Sequence, residues 1–445
     1  MKIAYGNRFL EFVLPQEGRL EILSPPPIQP SPLSLRDKIE RAFENPIDFP
    51  RLDEYLRNKS SILLVVPDTT RPCPLPQILP IVIEHVQHFC PGSSFGIITA
   101  NGTHTATSSE NLKRHIGAPV FDRWPVVQHD ANSNNMTEVG RTRRGTRVTL
   151  NSRLLDAEAI IAISSVQHHY FAGFGGGPKL IVPGLTAADT TFQNHRLSIA
   201  ENGHIHPNCR EGILDGNPVA EDISEAISLC PRVFYLGVIL NEEWKVVKCM
   251  AGDIVATHRA LAQVYHQTHL RIVNERRPLV IASAGGTPRD CNLIQAHRGL
   301  HRAFRLVEPG GMLVYFAQCG EGIGSATFMP WFEFATATEM AKVLSHRYTL
   351  NGQTALALKE KTEKAEIIFI SDLASGIVSK TGLKPMTPPE NDRLDLNDLA
   401  ERRPGLRGWI VPQAAEFLPL PVDEMRPEDK LATPSSGVDI LSKSL

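Results

Sequence analysis

Residues 164–195 read SSVQHHYFAGFGGGPKLIVPGLTAADTTFQNH, and this stretch decides how the rest of the chain is understood. The apolar run 159–163 (AIIAI) leads into it and predicts a buried strand. Two histidines follow, then a loop containing Gly173, Gly175, Gly176 and Gly177, with Lys179 at its far end. Pro183-Gly184 punctuates the chain, a short helix is expected from near Thr186, and His195 falls close to its end. Glycines at this density allow positive φ and a close approach of backbone N–H groups to an anion. A Walker A loop has the same length, but Pro178 stands at its second glycine and Leu180 at its Mg-binding Ser/Thr, so the ATPase reading fails. A solvated surface loop remains as the plain alternative. The adjacent histidines favour chemistry, because imidazole serves both as a base near neutral pH and as a nickel or zinc ligand.

The stretch sits in an α/β pattern. The β-branched run 62–66 ends in PDTTRPCPLP and is followed by a helix over 78–89. A second strand over 95–100 ends in NGTHTATSSE and runs into a helix from about Ser108. Both polar clusters lie just after a strand, where open α/β sheets gather their ligands. Asp68 and Arg71 can form a helix-capping turn, or Arg71 can clamp a carboxylate in bidentate fashion. His104 is either a solvated loop residue or part of a site with its neighbours. Residues 119–157 read as extended and turn-rich. Their basic run RTRRGTR, 141–147, lacks interleaved aromatics and is expected to be a solvated hairpin, not an RNA-binding arm. His204 and His206 have no third ligand at zinc spacing.

Residues 1–24 alternate like a hairpin, and a proline-rich connector over 25–32 leads to a helix over 33–43 with Ser34 as its cap. Beyond about residue 275, strands over 279–284, 311–317, 367–370 and 409–411 alternate with helical segments. The expectation is an α/β protein of two domains, each built on a largely parallel or mixed sheet with flanking helices. The first domain spans 1–272 and the second 273–418, with the active site in the interdomain cleft and a polar tail over 419–445. The chain has 445 residues, 42% hydrophobic and 21% charged, with a net charge of −2. That gives no electrostatic reason to expect nucleic acid or a membrane surface. No signal-peptide core opens the sequence, and its seven scattered cysteines include no CxxC pair, so reduced thiols and a cytoplasmic location are expected.

The run HHYFAGFGGGPKLIVPG, with His195 sixteen residues after its lysine, resembles the nickel-pincer lactate racemases. The resemblance implies an isomerase that racemises or epimerises a 2-hydroxy acid. By position it implies that Lys179 is joined covalently to a nickel-pincer nucleotide, a pyridinium-3-thioamide-5-thiocarboxylate mononucleotide, and that His195 is a nickel ligand. It makes His104 and His169 the alternating catalytic bases. Asp68, Gly175, Gly176 and Gly177 fall on the cofactor side; Arg71, Gln295 and Arg298 fall on the substrate side. The family's Asp-x-x-Arg-Pro is matched by Asp68, Arg71 and Pro72, and its Gly-Thr-His by Gly102, Thr103 and His104. Its Gly-Gly-x-Pro-x-Asp is matched by Gly285, Gly286, Pro288 and Asp290. Ile294 replaces a family tyrosine, Arg298 a lysine, and Asn351-Gly352-Gln353 lacks a tryptophan. These departures widen the expected substrate from lactate to larger acids, including an aldonate epimerised at its second carbon. A non-catalytic carrier of the nickel cofactor is the reading from another class. Proteins that build the cofactor are the implied partners.

Overall fold

The structure is a computed structural model that describes residues 1–13, 19–28, 31–395, 407–427 and 429. Among the described residues the chain divides into two compact units, one of residues 28–198 with 207–266, the other of residues 1–27, 199–206 and those from Gln267 to 429.

The first unit is organised by a six-stranded sheet. Its order is Val246–Asp253, Val233–Leu240, Ala159–Ser165, Ser61–Pro67, Ser94–Ala100 and Val126–Gln128. Only the outermost pair, Val233–Leu240 with Val246–Asp253, is antiparallel. Ser61–Pro67 is buried at six of its seven positions, which is why it reads as a continuous apolar run: a central parallel strand is covered on both faces. Helix Leu35–Glu44 starts at Ser34, whose hydroxyl accepts the Asp37 N–H in a capping box. It shares one apolar core with helix Leu75–Phe89 through Ile39, Phe43, Ile78 and Val82, packed with Leu64 and Val66. The strands Met136–Arg141 and Arg147–Asn151 form the expected hairpin. Three of its four arginines are neutralised locally, Arg143 by Glu225 at 3.1 Å, Arg144 by Glu221 at 2.6 Å and Arg147 by Asp189 at 2.9 Å.

The second unit carries an all-parallel sheet in the order Lys384–Met386, Glu366–Ile370, Val307–Phe316, Arg277–Ser283, Arg407–Val411 and Arg19–Ile22. A smaller sheet pairs Lys2–Tyr5 with Arg8–Val13 and Arg8–Val13 with Arg393–Asp395. The first 27 residues are therefore built into this unit, not into the one formed by the residues that follow them, and the division differs from a single boundary at 272. The reason is backbone pairing: Arg19 lies opposite Arg407, and the Gly6 N–H donates to the buried Asp290 carboxylate at 2.7 Å. The start of the expected tail is also structured, since Leu418–Pro421 pairs in parallel with Leu270–Val273. The rest of that tail, apart from 422–427 and 429, lies outside the described residues. Among the described residues, no helix is long and apolar enough to cross a membrane. All seven cysteines are free.

Candidate active site

Three adjacent strands of the first unit, Ala159–Ser165, Ser61–Pro67 and Ser94–Ala100, end side by side. The segments leaving their carboxyl ends carry Lys179, Asp68 with Arg71, and His104, so topology gathers residues that lie far apart in sequence.

The glycine stretch is a hairpin. Gln167–His169 pairs antiparallel with Gly173–Gly175, placing His169 opposite Gly173, and a turn of 3₁₀ helix, Gly177–Leu180, then carries Lys179. Gly176 and Gly177 have φ of +80° and +52°. A Cβ at 176 would lie 2.2 Å from the Ser165 carbonyl oxygen, and one at 177 would lie 2.5 Å from the His258 side chain. Packing of the loop onto the sheet end thus accounts for these glycines. The Gly177 N–H faces Ser164 Oγ and the Tyr235 hydroxyl, each at 3.2 Å, and the His258 ring meets the Gly175 carbonyl at 3.1 Å. Burial, with the charges of Lys179 and Arg259, lowers the His258 pKa to about 4 despite that bond, so its ring is neutral and donates Nε2–H.

Phe171 is the hub. Its ring meets His169 edge-on at 4.6 Å between centroids and His195 at 4.9 Å, and the Lys179 ammonium lies 5.5 Å from its centre. His195 occupies the penultimate position of helix Ala188–Arg196, as the sequence suggested. Burial, then the neighbouring charges of Lys179 and His104, hold its pKa well below the usual imidazole value. Its Nδ1 lies 3.1 Å from Asn194 Oδ1. Asn194 Nδ2 donates to the Val219 carbonyl and to the buried Asp222 carboxylate, so Oδ1 is the acceptor and His195 carries its proton on Nδ1. Asp222 is held in turn by the Thr142 and Thr146 hydroxyls at 2.5 and 2.8 Å. This relay leaves the His195 lone pair on Nε2, the form in which imidazole binds a metal.

Lys179 is partly buried, and burial with the nearby Arg71 charge lowers its pKa to about 7. Asp68 is 5% exposed and lies 2.5 Å from His104 Nδ1. Burial alone would raise its pKa; the hydrogen bond and charge of His104, the charge of Arg71 and the Thr70 hydroxyl outweigh that and bring it below the usual carboxylate range. Asp68, Arg71, His104, His169, Lys179 and His195 therefore belong to one connected group, while His168 turns away into a buried contact with His266 at 2.9 Å. Gln295 and Arg298 lie on the other unit, half-buried on one side of helix Leu293–Phe304, whose opposite side buries Leu293, Ala296, Leu300 and Ala303. Gln353 is buried and accepts a short hydrogen bond from the Tyr348 hydroxyl. His204 faces Glu360 at 3.6 Å, and no cluster of three or more His, Cys, Asp or Glu side chains suited to a metal occurs among the described residues.

Sequence reasoning missed Phe171, Asn194, Tyr235 and His258. Phe171 and Asn194 adjoin flagged residues and were within reach; Tyr235 and His258 come from later elements with no local signal.

The sequence profile of the lactate racemase N-terminal domain matches residues 5–205, and that of the C-terminal domain matches residues 272–387. The lactate racemase of Thermoanaerobacterium thermosaccharolyticum is 30% identical over 350 residues, 78% of this chain and 81% of the relative. The chain belongs to the lactate racemase family. It is accordingly an isomerase. The lactate racemase of Lactiplantibacillus plantarum is 27% identical over 297 residues, 66% of this chain and 69% of that protein. Among solved structures, the lactate racemase apoprotein from T. thermosaccharolyticum superposes with a TM-score of 0.83 at 25% identity, covering 94% of this chain and 99% of that one. A Thermotoga maritima protein shares the fold alone, with a TM-score of 0.65 at 17% identity, covering 88% of this chain and 99% of that one.

Proposed function

We propose that this protein is a nickel-pincer-dependent racemase or epimerase of a small 2-hydroxy acid. The observation that carries the reading is the arrangement of His169, His195 and Lys179 around the Phe171 ring, with the Asp68–His104 pair in the same group.

The side chains present fit the cofactor. An amine with a pKa of about 7 is unprotonated often enough at neutral pH to be acylated, as a covalent tether on Lys179 requires. A neutral His195 held by Asn194 offers nickel the Nε2 lone pair. When bound, the pincer nucleotide supplies a hydride acceptor, which the α-carbon of a hydroxy acid needs because its proton is too weakly acidic for simple deprotonation. The chain's own residues do the rest. Arg71 offers two parallel N–H donors to the substrate carboxylate. His104 and His169 handle the hydroxyl proton on the way to a planar 2-keto acid and back. Partner proteins that build the nucleotide are implied by the same reading.

The intact mass of denatured protein tests it. Protein made in a host able to build the cofactor gains the mass of a mononucleotide adduct, and Lys179→Ala does not. Equal masses for wild-type protein made with and without the cofactor-building proteins would overturn the proposal. Ile294 and Arg298, in place of the family tyrosine and lysine, favour a sugar-acid substrate over lactate as the second reading. Chiral chromatography over a hydroxy-acid panel separates the two. A cofactor carrier without turnover is disfavoured, since storage gives no reason for a buried carboxylate behind His104.

A further inference from the structure

The two histidines offered as bases are held differently. His104 is 42% exposed, and its Nδ1 lies 2.5 Å from a carboxylate that is 5% exposed. A carboxylate kept ionised accepts and cannot donate, so the proton on the neutral His104 ring sits on Nδ1 and Nε2 carries the lone pair. His169 shows the reverse. The backbone N–H of Ala172 donates to its Nδ1 at 3.2 Å. A backbone N–H can only donate, so the neutral His169 ring carries its proton on Nε2.

Resting on the functional reading above, we infer that the two bases start from different tautomers: His104 is ready to accept the hydroxyl proton of one enantiomer at Nε2, His169 presents Nε2–H and must move its proton before it serves the other, and Asp68 is the positioning residue that fixes His104. With the enantiomer that His104 serves, the O–H bond breaks, its electron pair stays on oxygen, and the proton forms a new bond to His104 Nε2. The imidazolium so formed keeps Nδ1–H on Asp68, which orients and stabilises it as the buried aspartate does in a Ser-His-Asp triad. For His169 to accept a proton in this way, its own proton must first leave Nε2 for Nδ1, and the bond from Ala172 is lost. In the form described, His169 orients the substrate oxygen from Nε2–H. Asp68, assigned from the family resemblance to the cofactor side, acts here through His104.

The ring nitrogens report this directly. Full-length protein labelled with ¹⁵N-histidine, its signals assigned with His104→Gln and His169→Gln, is to be examined by long-range ¹H–¹⁵N correlation where both rings are neutral. The expected result is a pyridine-like Nε2 for His104 and a pyridine-like Nδ1 for His169. Asp68→Asn moves His104 away from its Nδ1–H form, leaves His169 unchanged, and in the loaded enzyme lowers kcat about 10²–10⁴-fold with little change in KM. Asp68→Glu restores part of both the spectrum and kcat. One tautomer shared by the two histidines, or a His104 spectrum indifferent to Asp68→Asn, would overturn the inference. If the spectra are as expected but loaded wild-type enzyme turns over no hydroxy acid, the functional reading fails while the tautomer assignment stands.

Discussion

The lysine amine makes the most quantitative prediction. In the folded protein its pKa is about 7, against an ordinary lysine value of 10.5. At pH 7 about half of Lys179 is therefore free amine, whereas a solvated lysine holds roughly one part in three thousand, a difference of about 10³ in nucleophile. The consequence for stability has a definite sign. Between pH 7 and 10.5 the unfolded chain holds a proton that the folded chain has released, so stability rises with pH across that window. Below pH 7 the cost is fully present, and its upper bound is about 5 kcal/mol, reduced because the side chain keeps some exposure. Replacing Lys179 with Met removes the ionisation while keeping an unbranched side chain. Urea unfolding of cofactor-free protein at pH 6, 8 and 10 should show the variant more stable than wild type at pH 6, with the gap narrowing as pH rises. Acetylation followed by peptide mapping gives a second readout, with Lys179 reacting at a midpoint near pH 7 and exposed lysines reacting well above it. A wild-type-minus-variant difference that does not change with pH, together with a Lys179 midpoint near 10, would refute the reasoning.

Two further outcomes follow from the supports of the site. Tyr235→Phe removes the hydroxyl that meets Ser164 Oγ and the Gly177 N–H, and should cost about 1–3 kcal/mol in denaturant unfolding; no measurable loss would mean that Ser164 alone holds the loop. Asn194→Ala frees the His195 ring from its acceptor and leaves Asp222 without one donor, so nickel retained after gel filtration of the loaded protein should fall about 10–100-fold in affinity.

Much of the site was legible because its residues follow strands that announce themselves. The runs 62–66, 95–100 and 159–163 are apolar and β-branched, as buried parallel strands are, and the polar clusters after them had to lie at one end of the sheet. Adjacency was the part that local pattern could not supply. Tyr235 and His258 reach the glycine loop from a strand and a helix many residues downstream, and nothing about their own neighbourhoods signals it. The glycines themselves were open to two explanations, an anion cradle or tight backbone packing. Contacts at Gly176 and Gly177 supply the second, which composition alone cannot separate from the first. The strand Arg19–Ile22 is the clearest case. Its partner lies at Arg407–Val411, and a parallel pairing across such a separation leaves no trace in periodicity.

That pairing has a consequence for how the molecule is made. The strand Arg19–Ile22 leaves the ribosome long before its partner, and Arg19 finds its neighbour only once Arg407 has been synthesised. The unit holding the candidate active site, by contrast, has its described residues complete at His266 and can be finished while the other still waits. Shortening the chain from the front would strip the border from strand Arg407–Val411 and expose a raw edge for unwanted association, while sparing every imidazole of the candidate centre.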